Sequence, residues 1–254
     1  MDKSTSRQFA LVTGASYGVG AATAQALARA GFDVAVSARR AENLATTMAK
    51  LAAVGARAVP LVLDLNSLAS IERAMAEVIA AFGRLDLLVN NAGGNLRKLA
   101  VDVAPADWDA VMATNLRGAF FLSQQMGRHL IATGRPGVIV NIASTHGLVG
   151  AAERSVYGIS KGALIQMTRM LAIEWAAHGI RVNAVAPGRL DTPSPSRAAR
   201  TSDPAYMDAM RARIPLNRLA TAKEVADAVC YLASPQAASI TGQTLVVDGG
   251  ITVA

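Results

Sequence analysis

The sequence predicts an α/β protein built on a doubly wound parallel sheet of about seven strands, with helices on both faces. Three observations predict this fold class. Short apolar runs alternate with longer segments of helical periodicity along the chain, as in proteins with a covered parallel sheet. The apolar runs are five to seven residues long, the usual length of buried strands. A glycine-rich turn joins the first apolar run to the first helical segment.

The first unit of the chain is a strand, a glycine-rich turn and a helix. Residues 9–13 form an apolar run that ends at Gly14-Ala-Ser-Tyr-Gly-Val-Gly20, and a helical pattern follows over 19–30. Such a unit can bind a dinucleotide, because glycines let the backbone approach a pyrophosphate that faces the N–H groups of the helix N-terminus. Glycine turns after strands are common, and the spacing G-x-x-x-G-x-G differs from G-x-G-x-x-G. By itself the turn therefore only suggests a Rossmann-type fold.

The later elements repeat this alternation of strand and helix. Apolar runs predict the strands, and longer, often alanine-rich patterns predict the helices. We expect strands at 33–37, 57–63, 85–89, 137–142 and 180–186, a last strand around Val246, and helices at 41–54, 68–82, 108–131 and 156–177. No linker, fixed-period repeat or second core interrupts the chain, so residues 1–254 are expected to form a single domain.

The composition excludes several classes of protein. With 254 residues, 52% of them hydrophobic and 17% charged, the chain is long and apolar enough for one large core. No apolar run approaches the roughly 18–20 residues of a membrane-spanning helix, and the polar N-terminus lacks the apolar core of a signal peptide. We therefore expect a cytoplasmic protein without a membrane partner.

Charge and metal-ligand residue types narrow the partners further. The net charge is +7, but the basic residues are scattered and aromatic residues make up only 4% of the chain, so we expect no nucleic-acid groove. His129, His146 and His178 show no metal-ligand spacing with one another or with the single cysteine, Cys230, so we expect no metal. An anionic cofactor and an anionic small-molecule substrate explain the basic charge more economically.

Glycine and polar residues follow the predicted strands at their carboxyl ends. They are Gly14 to Gly20, Arg39, Asp64, Asn90 to Gly93, Ser144 and Pro187-Gly188. Ligands of doubly wound sheets bind outside the carboxyl ends of the strands. We therefore expect these residues, far apart in sequence, to converge on one rim of the sheet.

A tyrosine and a lysine four residues apart form the candidate chemical centre. Tyr157 and Lys161 lie in a predicted helix, where residues i and i+4 share a face. A nearby ammonium stabilises the ionised phenol and lowers its pKa from about 10, which makes Tyr157 a plausible acid and base near neutral pH. A snorkelling lysine on an amphipathic helix gives the same spacing, so the pair gains weight only from the motifs around it.

Taken together, the motifs resemble those of the short-chain dehydrogenase/reductase family in its single-domain form. The resemblance covers nearly the whole chain. It rests on Thr13-Gly-Ala-Ser-Tyr-Gly-Val-Gly20, Asn90-Asn-Ala-Gly93, Asn115, Ser144, Tyr157-x-x-x-Lys161, Pro187-Gly-Arg-Leu-Asp-Thr192 and the terminal Asp248-Gly-Gly250. It implies an oxidoreductase of Rossmann fold that moves a hydride between a nicotinamide cofactor and a carbonyl or alcohol carbon.

The resemblance also implies a catalytic set of four residues. Tyr157 matches the general acid and base, Lys161 the lysine that lowers the phenol pKa and holds the nicotinamide ribose, and Ser144 the hydroxyl that hydrogen-bonds the substrate carbonyl. Asn115 resembles the asparagine that anchors a water leading from the lysine to solvent. On their own, Ser144 is compatible with a strand-end cap and Asn115 with a solvent-facing helix position. The Tyr–Lys pair favours the functional interpretation.

The cofactor-binding residues implied by the resemblance lie in several motifs. They are Gly14, Ser16, Tyr17, Gly18, Val19 and Gly20 of the turn, Arg39 and Arg40, Asp64 and Leu65 beside adenine, Asn91, Ala92 and Gly93, Tyr157 and Lys161, and Pro187, Gly188, Leu190 and Thr192. The second predicted strand is followed by Arg39-Arg40 and not by an acid. An arginine there accommodates a 2′-phosphate, so we predict NADP(H) over NAD(H), although a solvated surface pair gives the same sequence.

The substrate is expected beneath a lid formed by about 189–215, a segment rich in Pro, Arg and Ser. Candidate substrate residues are Arg97, Ser144, His146 and Tyr157, and the arginines of the lid (Arg189, Arg197, Arg200, Arg211, Arg213) with Lys98 suit a carboxylate or phosphate, or are solvated surface. Asn95-Leu-Arg-Lys98, Asp107-Trp108 and Glu174-Trp175-Ala176 resemble family members that act on sugar acids, such as gluconate 5-dehydrogenase and 2-dehydro-3-deoxy-gluconate dehydrogenase.

The same resemblance leaves two alternative functions open and predicts an oligomeric state. The 3-oxoacyl-[acyl-carrier-protein] reductases share most of these motifs, and a basic protein suits an acidic carrier. A catalytically silent regulatory or binding member would lack Tyr157, Lys161 or Ser144, and all three are present. The family usually forms tetramers through its long helices and C-terminal strand, which predicts a homotetramer.

Overall fold

The predicted strands form one parallel sheet in the computed structural model of this protein, which describes residues 7–191 and 203–254. The sheet contains seven strands: β1 Gln8–Val12, β2 Phe32–Ala38, β3 Ala58–Val62, β4 Leu87–Asn90, β5 Gly137–Ile142, β6 Ile180–Pro187 and, last in the chain, β9 Thr244–Val247. Their order is β3-β2-β1-β4-β5-β6-β9, and every neighbouring pair is parallel. The predicted doubly wound α/β class is confirmed.

Eight α-helices lie within the described residues. They are α1 Gly18–Arg29, α2 Ala45–Ala52, α3 Leu68–Phe82, α4 Pro105–Met112, α5 Ala119–Thr133, α6 Ser155–Trp175, α7 Pro204–Arg211 and α8 Ala222–Ala233. A short two-stranded parallel sheet pairs β7 Leu190–Asp191 with β8 Ala220–Thr221. None of the helices in these ranges combines the length and hydropathy that a bilayer-spanning segment needs.

Alternate residues of each strand enter different cores, because side chains of a strand point to opposite faces. In β1, Leu11 packs with α3, α5 and α6, whereas Ala10 and Val12 pack with α1, α2 and α8. In β5 the same division separates Ile139 from Val140. Both faces of the sheet are therefore apolar, which explains the continuous hydrophobic runs in the sequence.

The helix expected over 108–131 is interrupted. Helix α4 begins earlier, at Pro105, and is joined to α5 by a π-helical turn over Ala113–Gly118. π-Helical turns are rare and often occur at functional sites. This turn carries Asn115.

Helix α8 is not among the helices expected from the apolar patterns of the sequence. A signal for it exists in the sequence. Thr221 and Glu224 form a capping box: the Glu224 N–H donates to Thr221 Oγ1 (3.2 Å), and the Thr221 N–H donates to the Glu224 carboxylate (2.8 Å). Thr-x-x-Glu before an apolar pattern marks a helix start.

The sheet order changes direction between β1 and β4. From β1 the chain moves outward to β2 and β3, then returns to β4 on the other side of β1. The loops after β1 and β4 therefore diverge and leave a crevice at the carboxyl ends of these two strands, where doubly wound proteins bind ligands.

Candidate active site

Tyr157 and Lys161 occupy the first two turns of helix α6. The Lys161 Nζ lies 5.9 Å from the centre of the Tyr157 ring. Lys161 is only 5% exposed and donates a hydrogen bond of 2.7 Å to the carbonyl oxygen of Ile142, the last residue of β5. Burial disfavours the charged ammonium and lowers the pKa of Lys161 to about 8. The structure thus brings the predicted pair together, with the lysine anchored at the rim of the sheet.

Asn115 connects the π-helical turn to the segment after β4 and to α6. Its Oδ1 accepts the Gly94 N–H (2.7 Å), and its Nδ2 donates to the Gly94 carbonyl (2.9 Å) and to Ser160 Oγ (3.0 Å). Ser160 Oγ in turn donates to the Tyr157 carbonyl (2.7 Å). Asn115 is buried, so the solvent-facing alternative for this residue is wrong. Ser160 is a part of this network that sequence reasoning missed.

We refer to the residues around Tyr157 and Lys161 as the Tyr–Lys corner. Ser144, which follows β5, belongs to it. Its buried Oγ accepts the His146 N–H (3.2 Å) and lies 3.5 Å from His146 Nδ1. The His146 and Tyr157 rings meet edge to face, with centroids 6.0 Å apart. A Cβ at residue 158 would lie 2.8 Å from the His146 carbonyl oxygen, so only glycine at position 158 lets this loop lie against α6.

His146 is partly buried and lies near positive charges. Its pKa is lowered from 6.5, first by burial and then by the nearby charges of Arg154 and Arg189. The imidazole therefore stays neutral to a lower pH than a free histidine does. Arg154 was not among the predicted site residues, because nothing in its sequence neighbourhood marks it.

The glycine-rich turn is tied to the end of β4 by side-chain hydrogen bonds. Thr13 Oγ1 accepts the N–H groups of Asn91 and Ala92, both at 3.0 Å. The Asn91 side chain donates to the carbonyls of Thr13 (2.8 Å) and Gly14 (3.0 Å). A Cβ on Gly20 would lie 2.5 Å from Asn91 Nδ2 and closer still to the Gly14 carbonyl oxygen. Asn91 holds the turn against β4, and Gly20 leaves the space for it.

A cleft of about 630 Å³ runs along the rim between these elements. It brings together most of the predicted cofactor residues: Gly14, Ser16, Tyr17, Gly18, Val19, Gly20, Arg39, Asp64, Leu65, Asn91, Ala92, Gly93 and Leu190. Polar lining residues that were not predicted include Ser37, Asn43, Asn66, Asn95 and Thr114. Asn43 and Asn66 follow strands, so the rule of strand ends could have found them; Thr114 depends on the π-helical turn.

Among the described residues, five of the predicted cofactor residues are not in the lining of this cleft: Arg40, Tyr157, Lys161, Pro187 and Gly188. Arg40 is exposed beside Arg39, and Pro187 and Gly188 lie at the end of β6, where Gly188 donates to the Val247 carbonyl (2.9 Å). Thr192 lies outside the described residues, as do Arg197 and Arg200 of the expected lid. Lys161 reaches the cleft, since a Cβ on Gly93 would lie 3.5 Å from its Nζ. The Tyr–Lys corner is therefore continuous with the cleft.

The cleft fits a dinucleotide. A Cβ built on Gly18 would meet nothing within 4 Å, so open space lies over the turn at the N-terminus of α1, where phosphates bind favourably. Arg39 is exposed at the end of β2. Leu63 and Leu65 add apolar lining on the same side. Across residues 7–191 and 203–254 no group of three His, Cys, Asp or Glu side chains is placed to hold a metal.

The basic residues expected to meet the substrate have different environments. Arg97 pairs with Glu153, and Lys98 with Asp107 (2.7 Å). Arg154 donates to the Asn95 side chain (2.6 Å) and to the Leu96 carbonyl (3.3 Å).

Arg189 is exposed and lies 3.4 Å from the Tyr206 hydroxyl of α7. The charges of Arg154 and Arg189 act on His146, and Arg97 is paired with Glu153.

Known proteins resemble this chain over almost its full length. A family model described as "Enoyl-(Acyl carrier protein) reductase" matches residues 14–252. Glucose 1-dehydrogenase of Gluconobacter oxydans is 38% identical, with 96% of this chain and 91% of the relative covered. Gluconate 5-dehydrogenase of the same organism is 36% identical (96% and 94% covered), and 3-oxoacyl-[acyl-carrier-protein] reductase FabG of Thermotoga maritima is also 36% identical (96% and 97%).

Solved structures give the same result. A putative short-chain alcohol dehydrogenase from Sinorhizobium meliloti superposes with a TM-score of 0.92 at 41% identity, covering 97% of each chain. A gluconate 5-dehydrogenase from Burkholderia cenocepacia, solved in complex with NADP and tartrate, has a TM-score of 0.91 at 35% identity, with 97% of this chain and 96% of that one covered.

Proposed function

The chain belongs to the short-chain dehydrogenase/reductase family, and from this premise we propose that it interconverts a secondary alcohol and a ketone of a sugar acid or related polyol with NADP(H). That it is an oxidoreductase acting on CH–OH groups follows from the family. The observation that carries the proposal is the buried Lys161 ammonium beside the Tyr157 ring, at the end of a cleft suited to a dinucleotide.

In the proposed mechanism, Tyr157 is the general acid and base. The nicotinamide supplies or accepts the hydride. During reduction, negative charge develops on the carbonyl oxygen, and the hydroxyls of Ser144 and Tyr157 donate hydrogen bonds there. As the carbonyl carbon gains the hydride and a C–H bond forms, the π electron pair moves to the oxygen. The phenol passes its proton to this oxygen, so that an O–H bond forms and the phenol is left ionised. In the oxidation the ionised phenol takes the proton back.

Lys161 and Asn115 support this proton transfer. We propose that a charged Lys161 stabilises the ionised form of the phenol through its proximity. The Lys161 pKa of about 8 keeps most of the ammonium protonated at neutral pH. Asn115 fixes the Gly94 backbone on one side and Ser160 on the other. We propose that this link keeps the segment after β4 in register with the helix of Tyr157. His146 orients Ser144 through its N–H.

NADP(H) is favoured over NAD(H) because Arg39 lies in the cleft just after β2. No acidic residue occupies this position, where it would repel a 2′-phosphate. Arg40 is the second cation of this pair. Similar structures with 35% and 38% identity to this chain carry NADP. The preference is tested by steady-state kinetics with both cofactors, and a tenfold or larger preference for NAD(H) contradicts it.

The substrate side supports an anionic substrate. Arg154 and Arg189 both act on His146 by charge, and His146 contacts both Ser144 and Tyr157. A carboxylate of the substrate is therefore expected near these two cations. In the relative from Burkholderia cenocepacia, the complex contains tartrate, a dicarboxylate. Arg97, which is paired with Glu153, stays a further candidate.

Reduction of an acyl thioester is the second candidate. FabG of Thermotoga maritima is as similar as the gluconate enzyme, and a net charge of +7 suits an acidic carrier protein.

One panel separates these proposals: keto sugar acids, neutral ketoses, small ketones and a 3-oxoacyl thioester, each with NADPH and NADH. We expect the highest kcat/KM with a keto acid and NADPH. The highest value with the thioester selects the second candidate, and no oxidation of either cofactor with any compound favours a binding module instead.

We also propose a homotetramer. A groove of about 650 Å³ on the outer surface of α4, α5 and α6 is lined by apolar side chains that include Met112, Phe120, Met167 and Met170, and Ile173 beyond it is 78% exposed. Strand β9 is an edge strand of the sheet. A second copy can cover each surface, which size-exclusion chromatography with light scattering tests.

The cytoplasmic location, the single domain and the lid around 189–215 stay predictions.

A further inference from the structure

A threonine outside all the motifs makes a buried hydrogen bond to the glycine-rich turn. Thr47 lies in α2, is 1% exposed and donates from Oγ1 to the Ala15 carbonyl oxygen at 2.7 Å. Residues 47 and 15 are 32 positions apart. We infer that Thr47 is a positioning residue that sets the direction of the peptide between Ala15 and Ser16, and thereby the affinity for the cofactor. The inference rests on the proposed function of the cleft.

The argument starts from the geometry of a peptide unit. The described residues contain no cis peptide bonds, and in a trans peptide the C=O and the following N–H point in opposite directions. Because Thr47 holds the Ala15 carbonyl toward α2, the Ser16 N–H is directed away from α2. Ser16 lines the cleft. Its N–H is therefore presented toward the space in which a pyrophosphate would lie.

The other end of Ala15 is also fixed. Its N–H donates to the Ser37 carbonyl of β2 at 2.9 Å, and Ala15 is fully buried. With both groups of Ala15 bonded, the turn is held before any ligand arrives. Preorganisation of this kind improves affinity because less ordering remains for the binding step. Asn91 does the same for Thr13 and Gly14, so consecutive carbonyls of the turn are held by two different side chains.

Helix α2 can hold Thr47 in a fixed position because the helix is anchored in the core. Leu44 and Leu51, on either side of Thr47, are both fully buried. The same helix follows the segment of Arg39 and Arg40 through the short 3₁₀-helix Ala41–Leu44. The hydrogen bond from Thr47 thus joins the phosphate-binding turn to the segment proposed to meet the 2′-phosphate.

The chain offers a matched control. Thr23 of α1 is also fully buried, but its Oγ1 has no hydrogen-bond partner among the described residues. Thr47→Val and Thr23→Val are the same isosteric change. Only the first removes a bond to the turn and leaves a buried carbonyl without a donor.

The experiment measures the Kd of NADPH by fluorescence titration, together with kcat, the KM of NADPH and the melting temperature. For Thr47→Val we expect Kd and KM to rise about five- to tenfold, because one buried hydrogen bond is lost. We expect kcat at saturating NADPH to stay within about twofold of the wild type. Thr47→Ser keeps the hydroxyl and is expected to restore Kd to within about twofold of the wild type. Thr23→Val is expected to bind NADPH like the wild type.

The outcomes are distinct. A wild-type Kd in Thr47→Val, or an equal loss of affinity in Thr23→Val, overturns the inference but leaves the proposed function standing. If the wild-type protein binds neither NADPH nor NADH, the proposed function itself fails, and the inference fails with it. If Thr47→Val does not fold, Thr47→Ala carries the same expectation, because it removes the donor and places no methyl group against the carbonyl.

Discussion

The two halves of the site are built by different physical means. The glycine-rich turn is held by neutral groups: backbone carbonyls accept hydrogen bonds from Asn91 and Thr47, and no charged side chain takes part in these bonds. The corner around Tyr157 instead contains a buried ammonium, Lys161, and the imidazole of His146, whose pKa is lowered by burial and by the charges of two arginines. One half depends on shape and the other on charge.

This difference determines how each half can fail. Close packing makes the turn intolerant of added atoms at Gly14 and Gly20, where a Cβ would lie less than 3.0 Å from a neighbouring atom. The corner is intolerant of a changed protonation state, because a buried charge without compensation is costly. Substitutions that add volume should therefore disrupt cofactor binding at any pH, whereas effects at the corner should depend on pH or act on turnover.

Loss of the Tyr157 hydroxyl is expected to give the largest effect. In Tyr157→Phe we expect kcat to fall about 10³-fold, within the range that a general acid contributes, while the Kd of NADPH changes less than about threefold. Steady-state kinetics and fluorescence titration measure the two quantities. A variant that retains a tenth of the wild-type kcat would show that another group supplies the proton.

A methyl group in the turn is expected to give the next largest effect. In Gly20→Ala the new Cβ overlaps Asn91 Nδ2 and the Gly14 carbonyl, both of which are fixed, so we expect the Kd of NADPH to rise about 100-fold, with a loss of stability of about 1–3 kcal/mol from overpacking. Gly150→Ala is the control, because a Cβ there meets nothing within 4 Å. Equal behaviour of the two variants would refute the shape-based account of the turn.

Removal of the cation after β2 is expected to change cofactor choice more than affinity in general. In Arg39→Ala we expect kcat/KM with NADPH to fall about 30-fold, since a charge-assisted hydrogen bond to the 2′-phosphate is lost, and kcat/KM with NADH to change less than about threefold. Arg57→Ala serves as a comparison, because its guanidinium donates to the Ala81 carbonyl and not to the cleft. An equal loss with both cofactors contradicts the assignment of Arg39.

Per pH unit, the pH dependence of stability is the smallest of these effects, and it tests the charged half directly. The pKa of Lys161 is about 8 in the folded protein and 10.5 as its ordinary value. Between these values the unfolded chain binds a proton that the folded chain does not, so the free energy of unfolding rises with pH.

Relative to Lys161→Met, the wild type should gain up to about 1.4 kcal/mol per pH unit over this window. Denaturation of both proteins at pH 7, 8, 9 and 10 measures the difference. A difference that does not vary with pH would mean that the buried ammonium is not penalised.

Much of the fold and most of the lining of the cleft were predictable from sequence, because both follow from local patterns. Apolar runs of strand length located the sheet, and the rule that ligands lie beyond strand ends collected Gly14 to Gly20, Arg39, Asp64 and Asn91 on one rim, where the structure has them. Helix α8 was missed although Thr221 and Glu224 announce it. The capping box is a local signal, so this helix is also encoded in neighbouring residues.

The π-helical turn, Thr47 and Arg154 had no such signal. A π-helical turn is maintained by packing and side-chain bonds across the fold, here from Asn115 to Gly94 and Ser160, and no local propensity encodes it. Thr47 matters only because α2 brings it against Ala15, and Arg154 only because its neighbourhood includes His146.

The sequence by itself determined the alternation of strands and helices that builds the sheet, the glycine turn and the Tyr–Lys pair, because periodicity and i,i+4 spacing are properties of neighbouring residues. Only the tertiary structure decided which carbonyls are held, which cations face the imidazole and how deeply Lys161 is buried. Those quantities depend on distances and desolvation between segments far apart in the chain, and such distances exist only after the chain has folded.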